Sequence, residues 1–238
     1  MGATIDIWYH YPAASSLDAY LGATTAAEHQ RAGGFRRQED GIRFLASRAL
    51  VRVTLGRHLG IPATDVAFSS RCEHCGDPGH GRPTVLTSGE PVEYSLTRAG
   101  RVVAVALAPA RVGLDAEPAR EGIDDLLSSE MFSEADLAWI RSGDRDSRIL
   151  QLWVAKEAVG KVSGLGLVDA GRIRALPTAP GWRAATDALG RACWVTDLAI
   201  PGSVAASVAT YLGPDPLLIQ MAPGWPPVSV KKSAHRSF

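Results

Sequence analysis

Residues 92–120, VEYSLTRAGRVVAVALAPARVGLDAEPAR, restrict the fold more than any other stretch of this chain. Apolar and β-branched residues alternate or run together, and the text is punctuated at Ala99-Gly100 and again at Pro109-Ala110. Strand text broken by turn residues at those intervals predicts three strands of an antiparallel meander. A sheet with one apolar face must be covered, and the flanking sequence supplies helices for that purpose. From Asp40 to Leu59, DGIRFLASRALVRVTLGRHL places Ile42, Leu45, Ala49, Val53 and Leu55 roughly on one side, with arginines on the other. A second long helix is predicted from about Ser147 to Val162, stopped by Gly164 and Gly166, and Ser133 is placed to cap a shorter one over EADLAWIRSG. WVTDLAI and SVAASVATYL read as two closing strands. The fold class expected is α+β.

The order helix-then-strands occurs twice. IRFLASRALVRVTL lines up with SRILQLWVAKEAVG, and RAGRVVAVALA with IPGSVAASVAT, at offsets of about a hundred residues. In that register Arg52 and Glu157 hold matching places. The repeat predicts two similar α/β subdomains related by a pseudo-twofold axis, with a cleft between them. The expected division is an N-terminal half over 1–115, a C-terminal half over 116–212, and a proline-rich extension over 213–238 without chemistry.

Composition excludes several function classes. The 25 lysines and arginines balance the 25 acids, so there is no global field of the kind that holds nucleic acid or an anionic membrane. Any anion site must be local. The N-terminal MGATIDIWYHY has neither the basic start nor the apolar core of a secretion signal, and the longest apolar runs are too short to span a bilayer. Three cysteines make no disulfide framework. The expectation is a cytoplasmic, monomeric protein with no nucleic-acid or membrane partner.

Two segments carry candidate chemistry. In RVGLDAEPAR, period-two geometry puts Gly113, Asp115 and Glu117 on the face opposite Val112, Leu114 and Ala116, with the two carboxylates about 7 Å apart. Such a pair repels itself unless a cation or base lies near, and hard oxygen ligands suit Mg²⁺. A solvated strand end is the plainer reading of that motif alone. In LWVAKEAVGKVSGLGL, Trp153, Glu157 and Lys161 form one helical stripe with Lys156 at its side. A surface salt bridge between Glu157 and Lys161 would explain it, but the stripe lies beside Val154, Ala155, Ala158 and Val159 and has little solvated face. Arg82 and Arg98 sit in loop-like GRP and TRAG contexts and are fork-shaped cations suited to phosphate. CEHCGDPGHG, with Cys72, Cys75, His74 and His80, reads as loop, with structural zinc and redox chemistry as alternatives.

Taken together, VGLDAE followed some forty residues later by WVAKEAVGK closely resembles the paired motif of the 4′-phosphopantetheinyl transferases of the larger, surfactin-synthetase-activating type. The resemblance extends to the arginine helix near Arg43, to GRP, to FSEAD and to GLGL, over roughly residues 31–212. It implies a fold of two similar halves with the site between them. It also implies transfer of the phosphopantetheine arm of coenzyme A to a serine of an apo acyl or peptidyl carrier protein, releasing adenosine 3′,5′-bisphosphate. By position, Asp115, Glu117 and Glu157 would hold Mg²⁺, or Mn²⁺ in its place, against the pyrophosphate. Glu157 would take the serine proton and Lys161 would neutralise developing charge, with Asp115 third in the catalytic set. Arg31, Arg43, Arg82, Pro83, Thr97, Arg98 and Lys156 are the remaining expected contacts for coenzyme A. Where the family usually carries Ser-His, this chain has Thr97-Arg98, which keeps a hydroxyl and a cation but no neutral imidazole. The alternative is a non-catalytic module of the same fold that binds carrier protein or coenzyme A.

Overall fold

The structure is a computed structural model that describes residues 4–70, 76–77, 82–87, 89, 91–118, 123, 130–177, 180–203, 205–213 and 218–223. The cysteine and histidine loop singled out in the sequence (Cys72, His74, Cys75, His80) lies outside the described residues.

Among the described residues, ten strands and five α-helices follow one another: β1 (Thr4–His10), α1 (Leu17–Gly22), α2 (Ala26–Gly33), α3 (Gln38–Leu59), β2 (Phe68–Ser70), β3 (Pro83–Val85), β4 (Glu93–Ala99), β5 (Val102–Ala108), β6 (Val112–Glu117), α4 (Glu134–Arg141), α5 (Arg145–Ser163), β7 (Arg183–Thr186), β8 (Ala192–Asp197), β9 (Ala205–Thr210) and β10 (Leu218–Pro223). They build one four-stranded sheet in the order β10-β1-β5-β4, a second in the order β6-β9-β8-β7, and a small β2-β3 ribbon. The result is a mixed fold of sheets and helices. Among the described residues no helix is long and apolar enough to cross a membrane.

Strand β5 explains the unbroken apolar run in the sequence. Its Val103, Val105 and Leu107 pack against Leu50, Val51 and Leu55 of α3. Its alternate residues Ala104, Ala106 and Ala108 meet Leu114, Ala116 and Val208 of the second sheet. A strand buried on both faces has no polar positions to alternate with. On the far side of the second sheet, Ala155, Ala158, Val159 and Val162 of α5 pack on Val195 and Ala209.

The meander expected over 92–117 ends after two strands. β4 and β5 pair antiparallel as predicted, but β6 leaves after the Pro109-Ala110 turn and pairs with β9, nearly a hundred residues on. Its other flank meets β4 through side chains: Ser95 Oγ accepts the Leu114 N–H at 2.9 Å, and Thr97 Oγ1 accepts the Ala116 N–H at 3.2 Å. Two hydroxyls thus stitch the two sheets together. The extension after residue 212 also contributes structure, because β10 pairs in parallel with β1 from Thr4↔Leu218 onward.

The two four-stranded sheets share a strand order: β1-β5-β4, with α3 between β1 and β4 in the chain, and β6-β9-β8, with α5 between β6 and β8. They also share a fastening, though not in the register read from the sequence. Arg52 of α3 donates to Glu28, the capping-box acid of α2, and to the carbonyls of Ala63 and Val66. Lys156 of α5 contacts Asp136, the capping-box acid of α4, at 2.8 Å and donates to the carbonyls of Ala170 and Ile173. In both cases the two carbonyls are the first residue and the C-cap of a 3₁₀ turn that follows the long helix. Gly56 and Gly160 match as well, since a Cβ would stand 2.7 Å from the Ile61 carbonyl and 2.1 Å from the Gly166 carbonyl respectively. Both helices end in a left-handed glycine, Gly60 and Gly164. All three pairs are separated by 104 residues (156 − 52, 160 − 56, 164 − 60), so the counterpart of Arg52 is Lys156 and not Glu157.

Candidate active site

Asp115 and Lys161 meet because of a glycine. Gly113 faces α5, and a Cβ there would stand 1.9 Å from the Ala158 carbonyl oxygen and 2.9 Å from the Val162 nitrogen. Without a side chain, the helix lies directly on β6. One residue pair further along, Lys161 Nζ reaches Asp115 Oδ1 at 2.7 Å and the Leu114 carbonyl at 2.9 Å. Thr97 donates to the same Oδ1 at 3.1 Å, while Asp115 Oδ2 is buried and has no hydrogen-bond partner.

Glu157 lies one turn before Lys161 on the less buried stripe of α5, which also carries Trp153. Burial pushes its pKa above the ordinary carboxylate value; Asp115 and then Glu117 push the same way, against Lys161. Three carboxylates therefore share one electrostatic neighbourhood, and a cation entering it would relieve their repulsion. An orphaned carboxylate oxygen and an all-oxygen donor set fit a hard divalent ion. Among the described residues, however, no group of three His, Cys, Asp or Glu side chains is arranged to hold a metal ion. The donors are present without a closed cage.

Next to this cluster lies a cavity of about 830 Å³ whose wall includes Arg31, Arg48, Arg82, Arg98 and Lys161. Arg31 stands over the Phe44 ring at 5.3 Å. Burial holds the Arg98 guanidinium below its ordinary pKa, and the charges of Arg48, Arg31 and Arg43 act in the same direction. Like charges gathered around one space raise each other's energy, which an anionic ligand would offset.

The predicted residues are not all used in one way. Arg31, Arg82, Pro83, Arg98 and Lys161 line the cavity. Arg82 is also a structural clip: its Nη2 lies 2.9 Å from Glu93 Oε2 and donates to the carbonyls of Tyr94 and Val112. Arg43 pairs with Asp40 at 3.7 Å on the outer surface of α3 and touches the site through its charge alone. Thr97 is buried, and its hydroxyl is committed to Ala116 and Asp115. It acts on the site by holding Asp115.

Lys156 requires a correction. The sequence reading made it a coenzyme A contact, yet it is 0% exposed, and its three ammonium protons go to Asp136, Ala170 and Ile173. One residue away from Glu157 is about 100° around a helix, far enough to point into the core. Burial lowers its pKa, and the bond to Asp136 opposes the shift. Conversely, Arg48, Glu28, Phe68 and Tyr94 line the cavity and were missed. For one of them the sequence carries a local signal, since Thr25-x-x-Glu28 is capping-box text that marks a helix start, though not a place in the cavity.

A sequence model of the 4′-phosphopantetheinyl transferase superfamily matches residues 111–200, a span that holds Asp115, Glu117, Glu157 and Lys161. The chain resembles the 4′-phosphopantetheinyl transferases. Among proteins of known function, it is 22% identical over 153 residues to the 4′-phosphopantetheinyl transferase Sfp of Bacillus subtilis (strain 168). That alignment covers 63% of this chain and 64% of the length of that transferase.

Proposed function

We propose that this chain transfers the 4′-phosphopantetheine moiety of coenzyme A to a serine hydroxyl of an apo acyl or peptidyl carrier protein, releasing adenosine 3′,5′-bisphosphate. The observation that carries this reading is the arginine-walled cavity opening beside Asp115, Glu157 and Lys161. Phosphoryl transfer asks the protein for positioning and charge stabilisation more than for covalent chemistry, and this arrangement offers both. Arg31 and Arg98 suit the phosphates of coenzyme A. Lys161, on the cavity wall and bonded to Asp115, suits the phosphorus that is attacked.

Glu157 accepts the serine proton in this scheme. Its pKa, raised by burial and by the charge of Asp115, makes it a better base than an exposed glutamate. Asp115 through Oδ2, Glu117 and Glu157 would hold Mg²⁺. When bound, such an ion supplies Lewis-acid neutralisation of the pyrophosphate. The repeated strand order and the matched Arg52 and Lys156 fastenings support two halves related by a pseudo-twofold axis, the second opening with β6 at Val112, a few residues before the division expected at 115. Strand β10 then belongs with the first half.

Mass spectrometry of several apo carrier proteins, incubated with the chain, coenzyme A and Mg²⁺, tests the reading. The expected result is a gain of one phosphopantetheine arm. Coenzyme A binding with no gain on any carrier would show a binding module instead. Asp115→Ala should abolish the response to Mg²⁺, and an unchanged metal titration would remove Asp115 from the ligand set.

A further inference from the structure

The two fastenings described above differ in one respect. In the second half, Asp136 pairs with Lys156 across the interface between α4 and α5. In the first half, Glu28 does the equivalent work with one oxygen, Oε2, which takes the Arg52 Nε at 2.8 Å and the Thr25 N–H at 2.9 Å. Its other oxygen, Oε1, takes the Nε of Arg48 at 2.6 Å. The counterpart of Arg48 at the shared 104-residue offset is Leu152, which is fully buried and apolar. The Arg48 link is therefore not a requirement of the fastening.

Arg48 belongs to the cavity instead. It lines the wall, stands over the Phe68 ring at 4.9 Å, and supplies the largest of the like charges acting on Arg98. Holding a guanidinium by Nε against a carboxylate, with an aromatic ring on its face, fixes the fork's orientation before a ligand arrives. We propose that Arg48 is a phosphate-binding residue of this cavity and that Glu28 is the positioning residue that aims it. The ligand class is a phosphate or pyrophosphate ester. Its identity as coenzyme A rests on the proposed function, whereas the Arg48 assignment rests on the geometry.

Two substitutions separate aim from charge. Among the described residues lining the cavity Glu28 is the one acid, so if it acted only as an opposing charge, Glu28→Gln would tighten anion binding. If it aims Arg48, the same change weakens binding. Calorimetric titration with inorganic pyrophosphate is expected to show about tenfold weaker binding for Arg48→Gln, or about 1.4 kcal/mol, and weaker binding for Glu28→Gln as well. Arg48→Gln within twofold of wild type would overturn the binding role. Tighter binding by Glu28→Gln would overturn the positioning role. Should Glu28→Gln unfold because Arg52 loses its partner, Arg48→Gln, which leaves the Glu28 and Arg52 pair intact, still decides whether the cavity uses Arg48. Wild-type protein that binds pyrophosphate but not coenzyme A would sink the proposed function and leave this inference standing; binding of neither would sink both.

Discussion

Gly113→Ala is the most informative single change outside the charged residues. The added Cβ would sit 1.9 Å from the Ala158 carbonyl oxygen, and it meets helix backbone, which has no rotamer to turn away. Reaching even 3.0 Å requires α5 to retreat from β6 by about 1 Å, and an ordinary carbon contact requires more. Overpacking of this kind costs about 1–3 kcal/mol. The functional cost is comparable to the stability cost, because Lys161 rides on the same helix and reaches Asp115 at only 2.7 Å. A misplacement of about 1 Å in a catalytic constellation costs on the order of a hundredfold in rate. Urea unfolding and the carrier-protein transfer assay should be run on the same preparation. The expected outcome is a folded, moderately destabilised protein with transfer reduced roughly a hundredfold. Wild-type stability together with wild-type transfer would refute the argument that glycine is there to bring α5 onto β6.

Three further outcomes follow from the geometry. Glu157→Gln should abolish transfer without loss of stability: its folded pKa is raised, so the native state holds the proton more tightly, and stability falls as pH rises from the ordinary glutamate value through the folded one. Denaturation above that window should find the variant at least as stable as wild type, and a clearly less stable variant would contradict the assigned burial. Lys156→Met strands Asp136, which is fully buried, and should cost about 3–5 kcal/mol by urea denaturation; a mild effect would mean the pair is not desolvated as described. His10, whose Nε2 lies 2.7 Å from the Tyr20 hydroxyl, has its pKa lowered by burial from 6.5 to about 4. The unfolded state then binds the extra proton between those values, so stability should fall as pH drops from 6.5 toward 4, and His10→Gln should flatten that part of the profile.

Much of the fold was legible because it is written locally. Capping text at Ser133, the glycine that ends α5, and the β4 and β5 hairpin are set by residues within a few positions of each other. The placement of β6 was not legible, since its choice of β9 over β5 depends on a contact almost a hundred residues away and on the hydroxyls of Ser95 and Thr97. The likeness of the two long helices was visible in the sequence at an offset of 105 residues, whereas their buried contacts match at 104, because apolar similarity along two helices does not specify phase. The Arg52 and Lys156 fastenings do specify it, through partners on other elements.

The candidate site divides along the same line. Spacing put Asp115 and Glu117 on one face of a strand and Glu157 and Lys161 on one stripe of a helix, because periods of two and 3.6 are properties of the backbone; the resemblance to the paired transferase motif is what joined them into one candidate site. What tertiary structure decided was which cation faces which acid. Lys161 goes to Asp115 because Gly113 lets α5 settle on β6; Lys156, one residue from Glu157, turns inward to Asp136 and never meets the cleft. Arg48 looks in sequence like any arginine on a polar helix face, and it joins the cavity through Glu28, delivered by a separate helix. A charge acquires its role from the neighbours that desolvate and orient it, and those neighbours are distant in the chain.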